Sequence, residues 1–69
     1  MEQYLKDNPP ELDFAVYIKR RGHDGEWRFA PSLKSAHKLT TGESHWIIYD
    51  CSDRKRPRCA GGFIAGYAQ

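Results

Sequence analysis

The chain lacks any apolar run near the ~20 residues that cross a bilayer as a helix, so no contact with a membrane is expected. Its first residues, Met1 to Asp7, show neither the cationic start nor the apolar centre of a signal peptide. A cytoplasmic location is therefore the expectation. Cysteine is scarce: Cys51 and Cys59 are the only two, and in a reducing compartment such thiols ordinarily stay free. There is no internal repeat, no low-complexity segment and no catalytic signature. With 69 residues the chain makes one small domain, which buries roughly 60% of its unfolded surface. Its stability is expected at the low end of the ~5–15 kcal/mol range. An enclosed active site would compete with the core for the same few side chains. The sequence therefore predicts a non-enzymatic protein that needs no cofactor and binds through its surface. What the chain does have is nine aromatic residues, each able to bury ~150–250 Å².

Charge is unevenly spread. Residues 1–13 carry Glu2, Asp7, Glu11 and Asp13 against Lys6, a balance of −3, whereas residues 14–69 carry ten Lys/Arg against five Asp/Glu, a balance of +5. Asn8-Pro9-Pro10 favours extended or turn backbone. Residues 1–12 are accordingly expected to be an extended acidic arm, and residues 13–69 a single folded domain.

From Asp13 onward the periodicity is that of half-buried strands. Phe14, Val16 and Ile18 alternate with Ala15, Tyr17 and Lys19. Gly22-His23-Asp24-Gly25 supplies turn chemistry, and Trp27 and Phe29 resume the alternation. A two-residue turn at His23-Asp24 or Asp24-Gly25 would place Ile18, Trp27 and Phe29 on one face. Ser32 is a good N-cap for a short helix with Leu33, Ala36, His37 and Thr40 at helical spacing, and Gly42 is a natural stop. Two further strands follow, Trp46 to Cys51 and Cys59 to Tyr67. The predicted fold is α+β: a four-stranded antiparallel sheet in the order β-β-α-β-β, with one short helix packed on one face. The expected core is Phe14, Val16, Ile18, Trp27, Phe29, Leu33, Ala36, Ile47, Tyr49 and Phe63. Trp46, Ile48 and Ile64 make the other face of the last hairpin apolar as well, and an exposed apolar patch there would suit a partner or a homodimer.

The segment Cys51-Ser-Asp-Arg-Lys-Arg-Pro-Arg-Cys59 is the most informative in the chain. If the last hairpin pairs so that residue numbers sum to 110, Cys51 faces Cys59 at a separation of ~4.5–5.5 Å, within reach of a disulfide. Free buried thiols and metal ligation are the alternatives. His23, His37 and His45 complete a two-Cys, two-His set by arithmetic alone, but structural zinc sites pair ligands about two to five residues apart. No metal site is expected on that spacing. A local Cys51–His45 dyad is excluded along a straight strand, where six residues span roughly 20 Å.

The cations are the stronger signal. Lys19, Arg20 and Arg21 run toward the first turn. Arg28 lies on the second strand, and Lys34 and Lys38 sit one helical turn apart. Arg54, Lys55, Arg56 and Arg58 fill the second tip. Arginine reads phosphate bidentately, and Tyr17, Trp46 and Tyr49 are candidates for stacking on unpaired bases. The same cations and aromatics are favoured at protein–protein hot spots. Cations at hairpin ends also serve simply to keep strand edges apart. Two kinds of partner follow: a larger protein or nucleoprotein complex, or nucleic acid bound directly by the basic tips.

The run Glu26-Trp27-Arg28-Phe29-Ala30-Pro31-Ser32-Leu33-Lys34-Ser35-Ala36-His37-Lys38 resembles the strand-into-helix segment of small phage and mobile-element proteins, anti-CRISPR inhibitors among them. The residues that carry the resemblance are Ser32-Leu33, Ala36 and Lys38, and the pattern extends over 14–65. It implies a stoichiometric inhibitor that docks on a CRISPR surveillance complex, and it carries over no contact residue. The Cys pair, the basic tip and the Asn8-Pro9-Pro10 leader are not part of it.

Overall fold

The computed structural model describes residues 2–22 and 24–64, the side chain of Ile64 excepted. Six elements follow one another: α1 (Glu2–Asp7), β1 (Phe14–Ile18), β2 (Glu26–Ala30), α2 (Leu33–Leu39), β3 (His45–Asp50) and β4 (Arg58–Ile64). The strands form one antiparallel sheet in the order β2-β1-β3-β4. The expected α+β sheet and its helix are present, and a second helix precedes them.

That helix, α1, stands where the sequence reading expects an extended arm. Glu2 and Lys6 occupy its first and last turns, where their charges complement the helix dipole. Gln3 Nε2 donates to Asp7 Oδ1 at 2.9 Å, and the Asn8 backbone and side chain both donate to the Tyr4 carbonyl, at 2.8 and 3.1 Å. Six residues cannot hold a helix by propensity alone. Packing holds it: Leu5 is fully buried against Ala15, Tyr49 and Cys51, with Trp27 and Ile47 alongside. Tyr4 stacks on Trp27, with centroids 5.2 Å apart and planes within 5°.

Helix α2 covers the opposite face. Its N-cap is Ser32, whose hydroxyl accepts from the Ser35 N–H at 3.1 Å. Thr40 closes it, its hydroxyl donating to the His37 carbonyl at 2.7 Å, and Gly42 turns the chain with φ of +81°. Its Ala36 and Leu39 pack on Val16, Ile18, Ala30 and Ile48 of the sheet, with Phe14 and Trp46 alongside. Ile48 is fully buried there, so the homodimer expected through Ile48 and Ile64 has no exposed Ile48 to use. The Ile64 side chain lies outside the described residues. Both apolar faces of the β1–β3 centre are thus covered, one by each helix.

Both hairpin registers differ from expectation. Tyr17 opposes Trp27 and Ile18 opposes Glu26, so Trp27 and Phe29 share the α1 face with Ala15 and Tyr17, away from Ile18. The cause is a longer connection: residues 19–25 replace the two-residue turn. The Lys19 N–H donates to the His45 carbonyl at 3.0 Å, Gly22 turns with φ of +76°, and Tyr17 folds across Gly25, where any Cβ would overlap its phenol. Phe29 is consequently exposed, at 43%, and Leu33, the first residue of α2, is 41% exposed.

In the second hairpin Trp46 opposes Phe63, Ile48 opposes Gly61, and Tyr49 opposes Cys59. Ala60 is the extra residue of a bulge between the last two pairs. This slip removes the Cys51–Cys59 opposition. Both thiols are free, Cys51 buried under α1 and Cys59 exposed. Phe63 is 52% exposed. Of the expected core, Val16, Ile18, Ala36 and Tyr49 are buried, while Phe14, Trp27 and Ile47 are half-buried. Leu5, Ala15, Ala30, Ile48 and Cys51 complete the buried apolar set.

Candidate partner-binding surface

Strand direction separates the two basic tips. Residues 19–25 lie at one end of the sheet, where β1 ends and β2 and β3 begin. Residues 51–57 lie at the other, where β3 ends and β4 begins. The cations singled out from sequence therefore do not make one surface.

At the first end, arginine is matched by carboxylate. Arg20 meets Glu43 through Nη2 at 2.7 Å and Nε at 3.1 Å, and meets Glu26 through Nη1 at 3.3 Å. Arg28 Nη2 shares the same Glu26 Oε1 at 3.0 Å. The Arg20 hydrogen bond holds the Glu43 carboxyl below its usual pKa, and Glu43 in turn raises that of Arg20. Lys19 and Arg21 are exposed beside this network. The expected turn Gly22-His23-Asp24-Gly25 includes His23, which lies outside the described residues.

At the second end, Arg54 is turned inward. Its Nε donates to the Pro10 carbonyl at 2.9 Å and Nη2 to the Glu11 carbonyl at 3.1 Å. Nη1 donates to Asp13 Oδ1 at 3.0 Å and also to the Cys51 carbonyl. One guanidinium thus clips the proline leader to the end of β3, and the Cys51 N–H donates to the Asp13 carbonyl at 2.6 Å beside it. Arg54 holds the fold together, and Lys55, Arg56 and Arg58 are what the tip presents to solvent. The loop carrying them is ordered by its own aspartates. Asp50 Oδ1 accepts from the Ser52 N–H at 2.9 Å, which lowers its pKa, and Asp53 Oδ1 accepts from the Lys55 N–H at 3.0 Å.

Lys34 and Lys38 are exposed on α2, without an ion pair among the described residues. The aromatics proposed for base stacking are committed elsewhere. Tyr49 is 6% exposed. Tyr17 packs edge-on against Trp27 at 5.0 Å. Trp46 packs against the core under α2 and meets His37 edge-on at 6.0 Å.

Each thiol meets a backbone carbonyl. Cys51 Sγ reaches the Tyr49 carbonyl at 3.9 Å, and burial raises its pKa despite the nearby Arg54. Cys59 Sγ reaches the Gly61 carbonyl at 3.6 Å. No cluster of three or more His, Cys, Asp or Glu that would suit a metal ion occurs among the described residues, and none of their helices is long and apolar enough to cross a membrane.

Two surface features escaped the sequence reading. One is a groove of about 520 Å³ between Tyr4, Pro9, Pro10, Leu12 and Phe29, which exists only because α1 folds back on the sheet. The other is the outer edge of β4. Its residues 58–63 are exposed apart from half-buried Gly61, and 59–64 carry no charge. The uncharged glycine-rich run was visible in the sequence; its position at the sheet edge was not. Comparison with protein-family models, curated proteins and solved structures finds no match for this chain.

Proposed function

We propose that this chain is a small non-enzymatic binding protein, a stoichiometric inhibitor that docks on a nucleic-acid-handling protein complex in the manner of the anti-CRISPR proteins it resembles. The observation that supports this reading is the pairing of an open, uncharged strand edge with a basic tip. β4 ends the sheet with an exposed apolar Phe63, and Lys55, Arg56 and Arg58 flank its entry. Aromatic and arginine side chains at a rigid edge are the usual material of protein hot spots.

Affinity capture with the intact chain, using nuclease-treated lysate of the host cell, tests the proposal. The expected result is a defined protein partner at fixed stoichiometry that survives nuclease. Recovery of no protein, together with tight binding to free duplex, overturns it.

A second reading has one observation in its favour: Lys55 and Arg56 in the tip and Arg58 at the first position of β4 are all exposed. Direct nucleic-acid binding there predicts log K falling with log salt by about 0.9 per phosphate contact. Neutralising those three residues should abolish the binding. Arg54 is left intact in that variant, because its loss would unfasten the leader.

A further inference from the structure

The two edges of the sheet are finished differently. β2 carries Glu26 and Arg28, joined to each other and to Arg20 by ion pairs, and charge of this kind discourages strand addition. Among the described residues β4 is the longest strand, seven residues, and it pairs with β3 alone. Its stretch Cys-Ala-Gly-Gly-Phe-Ile has neither charge nor proline. The bulge at Ala60 interrupts only its start, and Gly61 to Ile64 pair regularly with β3. The free side of that stretch is a template for another strand.

The side chains around the template define what would fill it. Gly61 and Gly62 leave the edge without a side chain on either face. A Cβ built on Gly61 would sit 3.8 Å from Trp46 Cζ3, and one on Gly62 would sit 3.3 Å from the Trp46 carbonyl oxygen and 3.6 Å from Ile47 Cγ1. Trp46 and Ile47 are both half-buried, so apolar side chains from an added strand would cover them across the glycines. At the entry to β4, Lys55, Arg56 and Arg58 are exposed, and the nearby carboxylates are Asp50, opposite Arg58, and Asp53. Three cations against two carboxylates leave that end net positive.

We infer that the β4 edge takes an extended segment of a partner protein, added antiparallel, apolar opposite Gly61 and Gly62 and acidic at its C-terminal end beside Arg56 and Arg58. This rests on the protein-binding reading above. A second copy of this chain fits less well: two-fold pairing about the glycines sets glycine against glycine, leaves Trp46 and Ile47 uncovered and brings no acid to Arg58.

The test is a titration of the intact, ¹⁵N-labelled chain with two synthetic peptides, Thr-Val-Phe-Val-Thr-Asp-Glu and the same peptide ending in Lys-Lys. The expected result is amide shift changes confined to β4 and the 55–58 tip, with the acidic peptide binding at least tenfold more tightly. The variant Arg56→Glu/Arg58→Glu should reverse that preference. Phe63→Lys, which places a charge on the edge without touching the buried core, should weaken both peptides. Circular dichroism of each variant controls for folding.

Shift changes elsewhere, equal affinity for the two peptides, or unchanged binding by the charge-reversed variant overturns the inference. So does sedimentation showing a dimer of the free chain that Phe63→Lys dissociates. Capture from lysate keeps the two proposals apart. A partner that also binds the charge-reversed variant leaves the protein-binding reading standing and removes the edge assignment. Peptide binding at β4 with no partner captured by the unaltered chain does the opposite.

Discussion

The two helices of this domain do the same job by different means. Helix α2 has its own start and stop written locally, in the Ser32 cap and the Thr40-Thr41-Gly42 turn, and it covers Val16, Ile18 and Ile48. Helix α1 is held from outside: Leu5 fills the hollow over Ala15, Tyr49 and Cys51, Tyr4 lies on Trp27, and Arg54 ties down the leader that follows. Marginal helices are sustained by tertiary packing more than by propensity. The comparison teaches that in a chain this small one buried leucine and one distant arginine can replace the signals of a self-contained helix.

The largest way to break the comparison is Leu5→Ala. Emptying that hollow should cost about 3 kcal/mol, as buried leucine truncations do, read from denaturant unfolding. It should also open Cys51 to alkylation under native conditions, whereas in the unaltered protein only exposed Cys59 should label quickly. Burial disfavours the Cys51 thiolate, so rapid native labelling of Cys51 in the unaltered chain would contradict the docked α1.

Next in size is Arg54→Ala, which removes donors to four acceptors on the leader and β3. The expected loss is about 2 kcal/mol, since charged hydrogen bonds contribute more than neutral ones. Hydrogen exchange at Asn8, whose N–H donates to the Tyr4 carbonyl, should accelerate more than at Ala36, whose N–H donates to the Ser32 carbonyl. Equal acceleration in both helices would show that Arg54 does not discriminate between them.

Ser32→Ala tests the other helix. Loss of an N-cap typically costs about 1 kcal/mol, and the effect should fall on α2 and leave Cys51 protected.

The smallest effect belongs to the exposed Arg20–Glu43–Glu26 network. Arg20→Ala should weaken the domain at low salt only, with the difference vanishing as salt screens the pairs. Acid acts on Glu43 of that network and, at the other end of the sheet, on Asp50. The Glu43 and Asp50 carboxyls titrate below their ordinary values when folded, so the unfolded chain binds protons more readily as pH falls. Their contribution is present above the ordinary carboxylate range and is lost on acidification through the lowered folded values. In Arg20→Ala the Glu43 share of that acid sensitivity should be lost and the Asp50 share kept, measured as the thermal midpoint between pH 6 and pH 3.

How legible each feature was follows from how far apart its determinants lie. Strand alternation in 14–18 and the Ser32-capped helix depend on neighbours within a few residues, and both stand where the periodicity places them. The face assignment of Trp27 and Phe29 depends on the length of the 19–25 connection. That length was decided by Tyr17 folding over Gly25 and by Arg20 meeting Glu43, so parity in the sequence pointed to the wrong face. The basic tip was legible as composition, but not as a site. Arg54 looks identical to Arg56 until the carbonyls of Pro10 and Glu11, 44 and 43 residues away, are brought beside it.

The sequence by itself determined an antiparallel α+β sheet, the capped helix and the concentration of charge at the strand ends, because backbone propensity, capping and side-chain alternation are local. Tertiary structure alone decided that the acidic leader becomes a helix, that both sheet faces are covered, that Cys51 and Cys59 part company across a bulge, and which cations remain at the surface. Each of those outcomes is a meeting between groups distant in the chain. Burial and hydrogen bonding settle such meetings only once the sheet has placed those groups side by side.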